Sequence, residues 1–135
     1  MSSVPSRPER LTFFIDRSLG TGVGIALREH GYRVQLHEGR FRRRESNDTE
    51  WLAAAGMNRW VVLTKDQNLR YNKLEKEALI QSGVRAFVVT AGGLTRQALT
   101  SLLLMHMPRI VELSESELPP FVAHVTRTKV SIMDL

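Results

Sequence analysis

Apolar and polar positions change period along the chain in a repeating order. Leu11-Thr12-Phe13-Phe14-Ile15-Asp16 is a short run rich in aromatic and β-branched residues, which reads as a strand ending in an acid. From Gly20 to His30 the apolar positions Leu19, Val23, Ala26 and Leu27 recur at helical spacing, and Gly31 is a natural stop. Tyr32 to Leu36 alternates and is short, which predicts a second strand. Strand, helix, strand over so few residues implies a right-handed crossover between parallel strands. His37 to Asn47 breaks the pattern as a loop. A second helix follows over Asp48 to Met57, with Asn47 and Glu50 at capping-box spacing and Trp51, Leu52 and Ala55 inward.

Trp60-Val61-Val62-Leu63-Thr64 is the strongest strand signal, continuously apolar and therefore central in a sheet covered on both faces. Lys65-Asp66 ends it. A third helix is predicted over Leu69 to Gln81, with Leu74, Ala78 and Leu79 inward and Ser82-Gly83 closing it; Val84 to Thr90 is a fourth strand. After the loop Ala91-Gly92-Gly93, Thr95 to Met107 reads as a long helix with Leu99, Leu102, Leu103 and Met105 inward. Pro108 either kinks it or starts a new turn running to Leu113. Beyond Pro119-Pro120, Phe121 to Thr126 and Val130 to Met133 pair as a terminal hairpin, for which Arg127-Thr128 is a poor two-residue turn.

Successive βα units predict a three-layer α/β/α domain with a mainly parallel central sheet. In the doubly wound order 2-1-3-4, strands one and three are neighbours and the switch point lies between their carboxyl ends. Asp16 and Asp66 then face one crevice. Residues 1–10 read as a flexible N-terminal tail and residues 11–135 as a single domain.

Composition narrows the setting. The 135 residues are 42% hydrophobic and 24% charged, ordinary for a soluble globular domain. No apolar run approaches the roughly 18 to 20 residues that span a bilayer, and the first ten residues lack a signal-peptide apolar region. With no cysteine, disulfides and thiolate metal sites are excluded, and the cytoplasm is the simplest location. A net charge of +5 and a pI near 10.2 suit a polyanionic partner.

Two carboxylates about 4 Å apart repel by roughly 4 kcal/mol at an effective dielectric near 20, so a crevice that gathers acids needs a proton or a cation. A hard divalent ion such as Mg²⁺ or Mn²⁺ suits oxygen ligands, keeps positions for water and phosphate, and lowers the pKa of an attacking water. Asp16 and Asp66 are the leading ligands by position. The alternatives are an N-terminal cap or an ion pair with Arg17 for Asp16, and capping of the third helix by Thr64 or Asp66. Asp48 and Glu50 lie in a helix first turn, where the macrodipole alone favours acids.

Phe13-Phe14-Ile15-Asp16, then Asn47-Asp48-Thr49-Glu50-Trp51-Leu52, then Val61-Val62-Leu63-Thr64-Lys65-Asp66 resemble the acidic motifs of the PIN-like domains, the fold of the VapC toxins of toxin-antitoxin pairs. The resemblance covers about residues 11 to 113. It implies a Mg²⁺- or Mn²⁺-dependent ribonuclease whose catalytic metal ligands are Asp16, Asp48 and Asp66, with a cognate antitoxin as protein partner. One departure stands out. Such nucleases commonly carry a fourth acid after the next strand, where this chain has Thr90-Ala91-Gly92-Gly93. Glu50 is a candidate supplementary acid, and a catalytically silent domain binding RNA or a protein is the alternative.

Arg40, Arg42, Arg43 and Arg44 precede Asp48 and could grip RNA phosphates, with Phe41 stacking on a base. Otherwise they form a solvated loop or an antitoxin's docking surface. Lys65 and Arg70 flank Asp66 as further substrate contacts. Gly20-Thr21-Gly22-Val23-Gly24 approaches the dinucleotide fingerprint, but Ile25 stands where its last glycine belongs; glycines that let a helix pack closely on the sheet are the competing explanation. His30, His37, His106 and His124 have no zinc-site spacing, and no nucleophile motif appears. The apolar stripe Leu102 to Met107 fits core or a homodimer face.

Overall fold

The computed structural model describes residues 11–37 and 48–135. Its elements are β1 (Thr12–Ile15), α1 (Thr21–Glu29), β2 (Arg33–Leu36), α2 (Asp48–Met57), β3 (Val61–Thr64), α3 (Asn68–Tyr71), α4 (Lys73–Ser82), β4 (Arg85–Val89), α5 (Arg96–Ser116), β5 (Phe121–Val125) and β6 (Val130–Met133). One six-stranded sheet runs in the order β2-β1-β3-β4-β5-β6. Every pairing is parallel except β5 with β6. The 2-1-3-4 order predicted from the βα units is therefore present, with two further strands beyond β4.

Alternation along each strand divides the interior into two layers. Phe13, Ile15, Val61, Leu63, Phe87, Val89 and Val125 meet Val23 and Leu27 of α1 and Leu99, Leu103, Met107 and Ile110 of α5. Phe14, Val62, Ala86, Val88 and Val122 meet Trp51, Leu52 and Ala55 of α2, Leu69 of α3 and Leu79 of α4. Burial on both faces is why Phe13–Ile15, Val61–Leu63 and Ala86–Val89 are continuously apolar. In the second layer Phe14 stacks on Trp51 and on Trp60, each with ring centroids 5.3 Å apart.

Two glycines set how closely helices approach. A Cβ at Gly24 would run into Leu36, so this one of the three glycines at the start of α1 serves packing on β2, the competing explanation raised by its sequence, while Gly20 and Gly22 meet nothing within 4 Å. A Cβ at Gly56 would collide with the Ser82 backbone carbonyl, where α2 crosses the end of α4. Backbone yields less readily than a side-chain tip. We expect Gly56→Ala to destabilise the fold by about 1–3 kcal/mol despite alanine's better helix propensity. A chemical denaturation midpoint equal to or above that of the wild type would refute the close contact.

Several predicted details are corrected. The third helix is two helices: Asn72 is extended at φ −78°, ψ 124°, and its Oδ1 accepts from the Glu75 N–H at 3.1 Å, starting α4 afresh. Asparagine caps better than it continues a helix. The restart puts Leu74 in the first turn of α4, 71% exposed rather than inward, while Leu69 of α3 takes a core place. Of the two alternatives at Pro108 the new turn is not formed: α5 runs unbroken from Arg96 to Ser116 with the proline inside it. A proline inside a helix costs about 3 kcal/mol, but Leu103 and Met107 before it and Ile110 and Leu113 near or beyond it are all buried, and each contributes about 1.5–3 kcal/mol. Met105 lies off that stripe at 59% exposure. The terminal hairpin forms without a turn glycine, because Thr126 Oγ1 accepts from the Thr128 and Lys129 N–H groups at 3.3 and 3.1 Å. Among the described residues no helix is long and apolar enough to cross a membrane.

Candidate active site at the carboxyl edge of strands 1 and 3

Asp16 follows β1 directly, and its N–H donates to the Leu63 carbonyl at 3.0 Å. The β1–β3 ladder thus extends through the acid and fixes the direction of its side chain. At 7% exposure the carboxylate needs partners. Oδ2 accepts from Thr64 Oγ1 at 2.8 Å and from Ser18 Oγ at 2.6 Å, with a longer contact of 3.4 Å to the Ser18 N–H. Each hydroxyl has one proton, and both point to Oδ2, so the 3.2 Å approach of Ser18 Oγ to Thr64 Oγ1 is not itself a proton-sharing bond in this arrangement. The bonds to the Asp16 carboxylate from the described residues fall on Oδ2 and come from hydroxyls and an amide rather than from Arg17.

Thr64 also orders Asp66. The Asp66 N–H donates to Thr64 Oγ1 at 3.0 Å, and Asp66 Oδ1 accepts from the Asn68 N–H at 2.9 Å. One buried hydroxyl thereby ties the carboxylate of one acid to the backbone of the other. The helix-start alternative for Asp66 is realised at one oxygen, since Asn68 opens α3. On the other side the Lys65 N–H donates to Ser18 Oγ at 3.0 Å, so Ser18 links the turn after β1 to the turn after β3.

Asp48 opens α2, but its side chain lies outside the described part, and so do Asn47, Phe41 and the arginines Arg40, Arg42, Arg43 and Arg44. Glu50 and Lys65 are exposed. Arg70 is half-buried, and its Nη1 donates to the Tyr71 hydroxyl at 3.2 Å. It also lies close enough to His124 on β5 to matter electrostatically: burial pushes the His124 imidazole below its usual value, and the Arg70 charge pushes it further. Thr90, where a fourth acid is expected, donates its N–H to the Val125 carbonyl at 3.0 Å. Among the described residues no three acids or histidines come together as a metal cluster.

Ser18 was not singled out from the sequence, although Asp16-Arg17-Ser18 has the two-residue spacing of a local turn in which a hydroxyl or carboxylate bonds nearby backbone. His37, assigned to the loop by pattern, is instead buried against Phe14 and Trp51, with ring centroids 5.6 and 6.3 Å away.

A doubly wound sheet with aspartates at the carboxyl ends of two adjacent strands defines the class: an α/β domain whose polar chemistry sits at the switch point. Residues 11–91 match the family model described as PIN like domain, and the chain belongs to that family. A relative from Mycobacterium tuberculosis, named "Putative ribonuclease VapC45", is 34% identical over 80 residues, which cover 56% of this chain and 58% of the relative. The chain thus spans less than two thirds of that relative's length. No solved structure matches the chain.

Proposed function

We propose that the protein is a Mg²⁺- or Mn²⁺-dependent endoribonuclease, the cytoplasmic toxin of a type II toxin-antitoxin pair. The carrying observation is the buried Asp16 carboxylate, whose Oδ2 is held by Ser18 and Thr64 while Thr64 also holds Asp66. The donor chemistry fits a hard divalent ion: such ions take oxygen ligands, and Mg²⁺ commonly binds through one or two carboxylates with water completing its shell. Asp16 and Asp66 would hold the ion, Asp48 would add a third ligand or act through water, and Glu50 would supplement them. Held by these residues, a divalent ion would supply Lewis-acid polarisation of a phosphoryl oxygen and a lowered pKa for a bound water.

The chain's own part is orientation. Ser18 and Thr64 fix one Asp16 oxygen and so direct the other, which reduces the rearrangement needed at the reacting phosphate. Arg40, Arg42, Arg43, Arg44, Lys65 and Arg70 supply cations for the RNA backbone, consistent with the chain's positive charge. The name of the mycobacterial relative supports the ribonuclease reading and, by its VapC designation, an antitoxin as protein partner. The apolar stripe of α5 is taken up by the core, and exposed Met105 is the large apolar side chain of that helix left for a homodimer contact.

Thr90-Ala91-Gly92-Gly93 favours a second reading, a silent domain that binds RNA or protein without cutting. Metal removal separates them. We expect single-stranded RNA to be cut with Mg²⁺ or Mn²⁺, spared after chelation, and cut again when the ion is restored. Calorimetric titration with Mn²⁺ should show saturable binding; absence of both binding and cleavage would establish the silent reading.

A further inference from the structure

Between the start of α1 and the start of α5 lies a cavity of about 190 Å³, lined by Leu19, Gly22, Val23, Arg96, Gln97 and Thr100. We infer that it is a purine pocket that selects one unpaired RNA base beside the cleaved phosphodiester. The inference rests on the ribonuclease reading for its biological role, and on the pocket alone for its chemistry.

Position comes first. The Leu19 N–H donates to the Asp16 carbonyl at 3.0 Å, so the apolar wall begins one turn beyond the acid. Leu19 and Val23 line the cavity from the core side, almost fully buried, so that only their outermost atoms reach it. Opposite them, the first turn of α5 is held by Thr95, whose Oγ1 accepts from the Ala98 N–H at 3.1 Å. Thr100 Oγ1 donates back to the Arg96 carbonyl at 2.9 Å, which occupies its proton within the helix. Arg96 and Gln97 are exposed and supply the polar side chains of the lining from a capped helix rather than a loop.

Size and polarity then choose the ligand. At ~30 Å³ per water the cavity holds about six waters, and it is smaller than the roughly 300 Å³ at which drug-sized pockets begin. One planar heterocycle fits, whereas a whole nucleotide does not. A guanidinium pairs bidentately with O6 and N7 of guanine, and a carboxamide with N6 and N7 of adenine. Both patterns use N7, which pyrimidines lack. A base in a duplex is stacked and paired, so the ligand must come from single-stranded RNA.

Gly22 provides a test that spares the fold. A Cβ there meets nothing within 4 Å, and leucine is the better helix former, so Gly22→Leu begins in open space and is expected to narrow the mouth, with the melting temperature reporting whether the fold is kept. Adenosine, guanosine, cytidine and uridine are titrated into the full chain by NMR, without metal and without phosphate. We expect the purine nucleosides to bind at least about tenfold more tightly than the pyrimidine ones, the discrimination a site with committed polar partners provides. Gly22→Leu should abolish purine binding with an unchanged or raised melting temperature, and Gln97→Ala should weaken adenosine more than guanosine. Equal affinity for all four nucleosides, or purine binding that survives Gly22→Leu, overturns the pocket. RNA cleavage measured alongside keeps the two readings apart: purine binding without cleavage retires the nuclease and keeps the pocket, whereas cleavage without purine binding does the reverse.

Discussion

Asp16→Asn should lower RNA cleavage by at least about a hundredfold, the scale seen when a group that acts on the developing charge is removed. The amide keeps the volume of the carboxylate and can still accept from Ser18 and Thr64, so folding should change little. What it loses is a negative charge. Asp66→Asn should behave alike, because its amide oxygen can still accept from the Asn68 N–H. Circular dichroism and thermal melting report the fold, while cleavage of a labelled RNA in Mg²⁺ or Mn²⁺ reports the site. Undiminished cleavage in both variants would remove the metal-site assignment. Asp16→Ala is the poorer experiment, since it takes the acceptor from the buried Thr64 hydroxyl, at about 1–3 kcal/mol for an unsatisfied group, whereas the exposed Ser18 hydroxyl can turn to water.

Trp51→Ala should have the largest effect on stability, about 3–5 kcal/mol. The indole is 1% exposed and stacks on Phe14 with an interplanar angle of 20°. Its removal leaves a cavity between α2 and the sheet that β1 cannot close, because β1 is paired on both sides. Trp51→Phe should recover part of the loss. Equilibrium urea unfolding measures both, and a loss below about 1 kcal/mol for the alanine variant would mean that α2 contributes little to the core. Phe14 is two residues from Asp16, so cleavage by the surviving folded protein would also report how far β1 depends on this stack.

Elements in which one physical signal dominates are legible in the sequence. Val61-Val62-Leu63 is apolar at every position because both faces are buried, and it forms the central β3. Gly83, left-handed at φ 68°, ends α4 as its composition suggested. Elements in which two signals compete are not so legible. The helical pattern from Leu69 to Gln81 carried Leu74 inward, but Asn72 reset the helix. Proline weakened the prediction for α5, yet buried residues on both sides of it outweighed the missing N–H. At the site, the aspartates were legible as acids at strand ends, whereas their connection was not.

Residues a few positions apart determined the order of strands and helices, the apolar faces of β1, β3 and β4, the acids at strand ends and the family resemblance. These follow from local backbone preference and side-chain period, which a linear chain displays directly. Only the tertiary structure decided that Thr64 bonds Asp16 across 48 positions, that Ser18 receives the Lys65 N–H across 47, and that Gly56 must yield to Ser82. Hydrogen bonds and close contacts act over about 3 Å, so they exist only once the parallel pairing of β1 with β3 and the packing of α2 on α4 bring distant residues together.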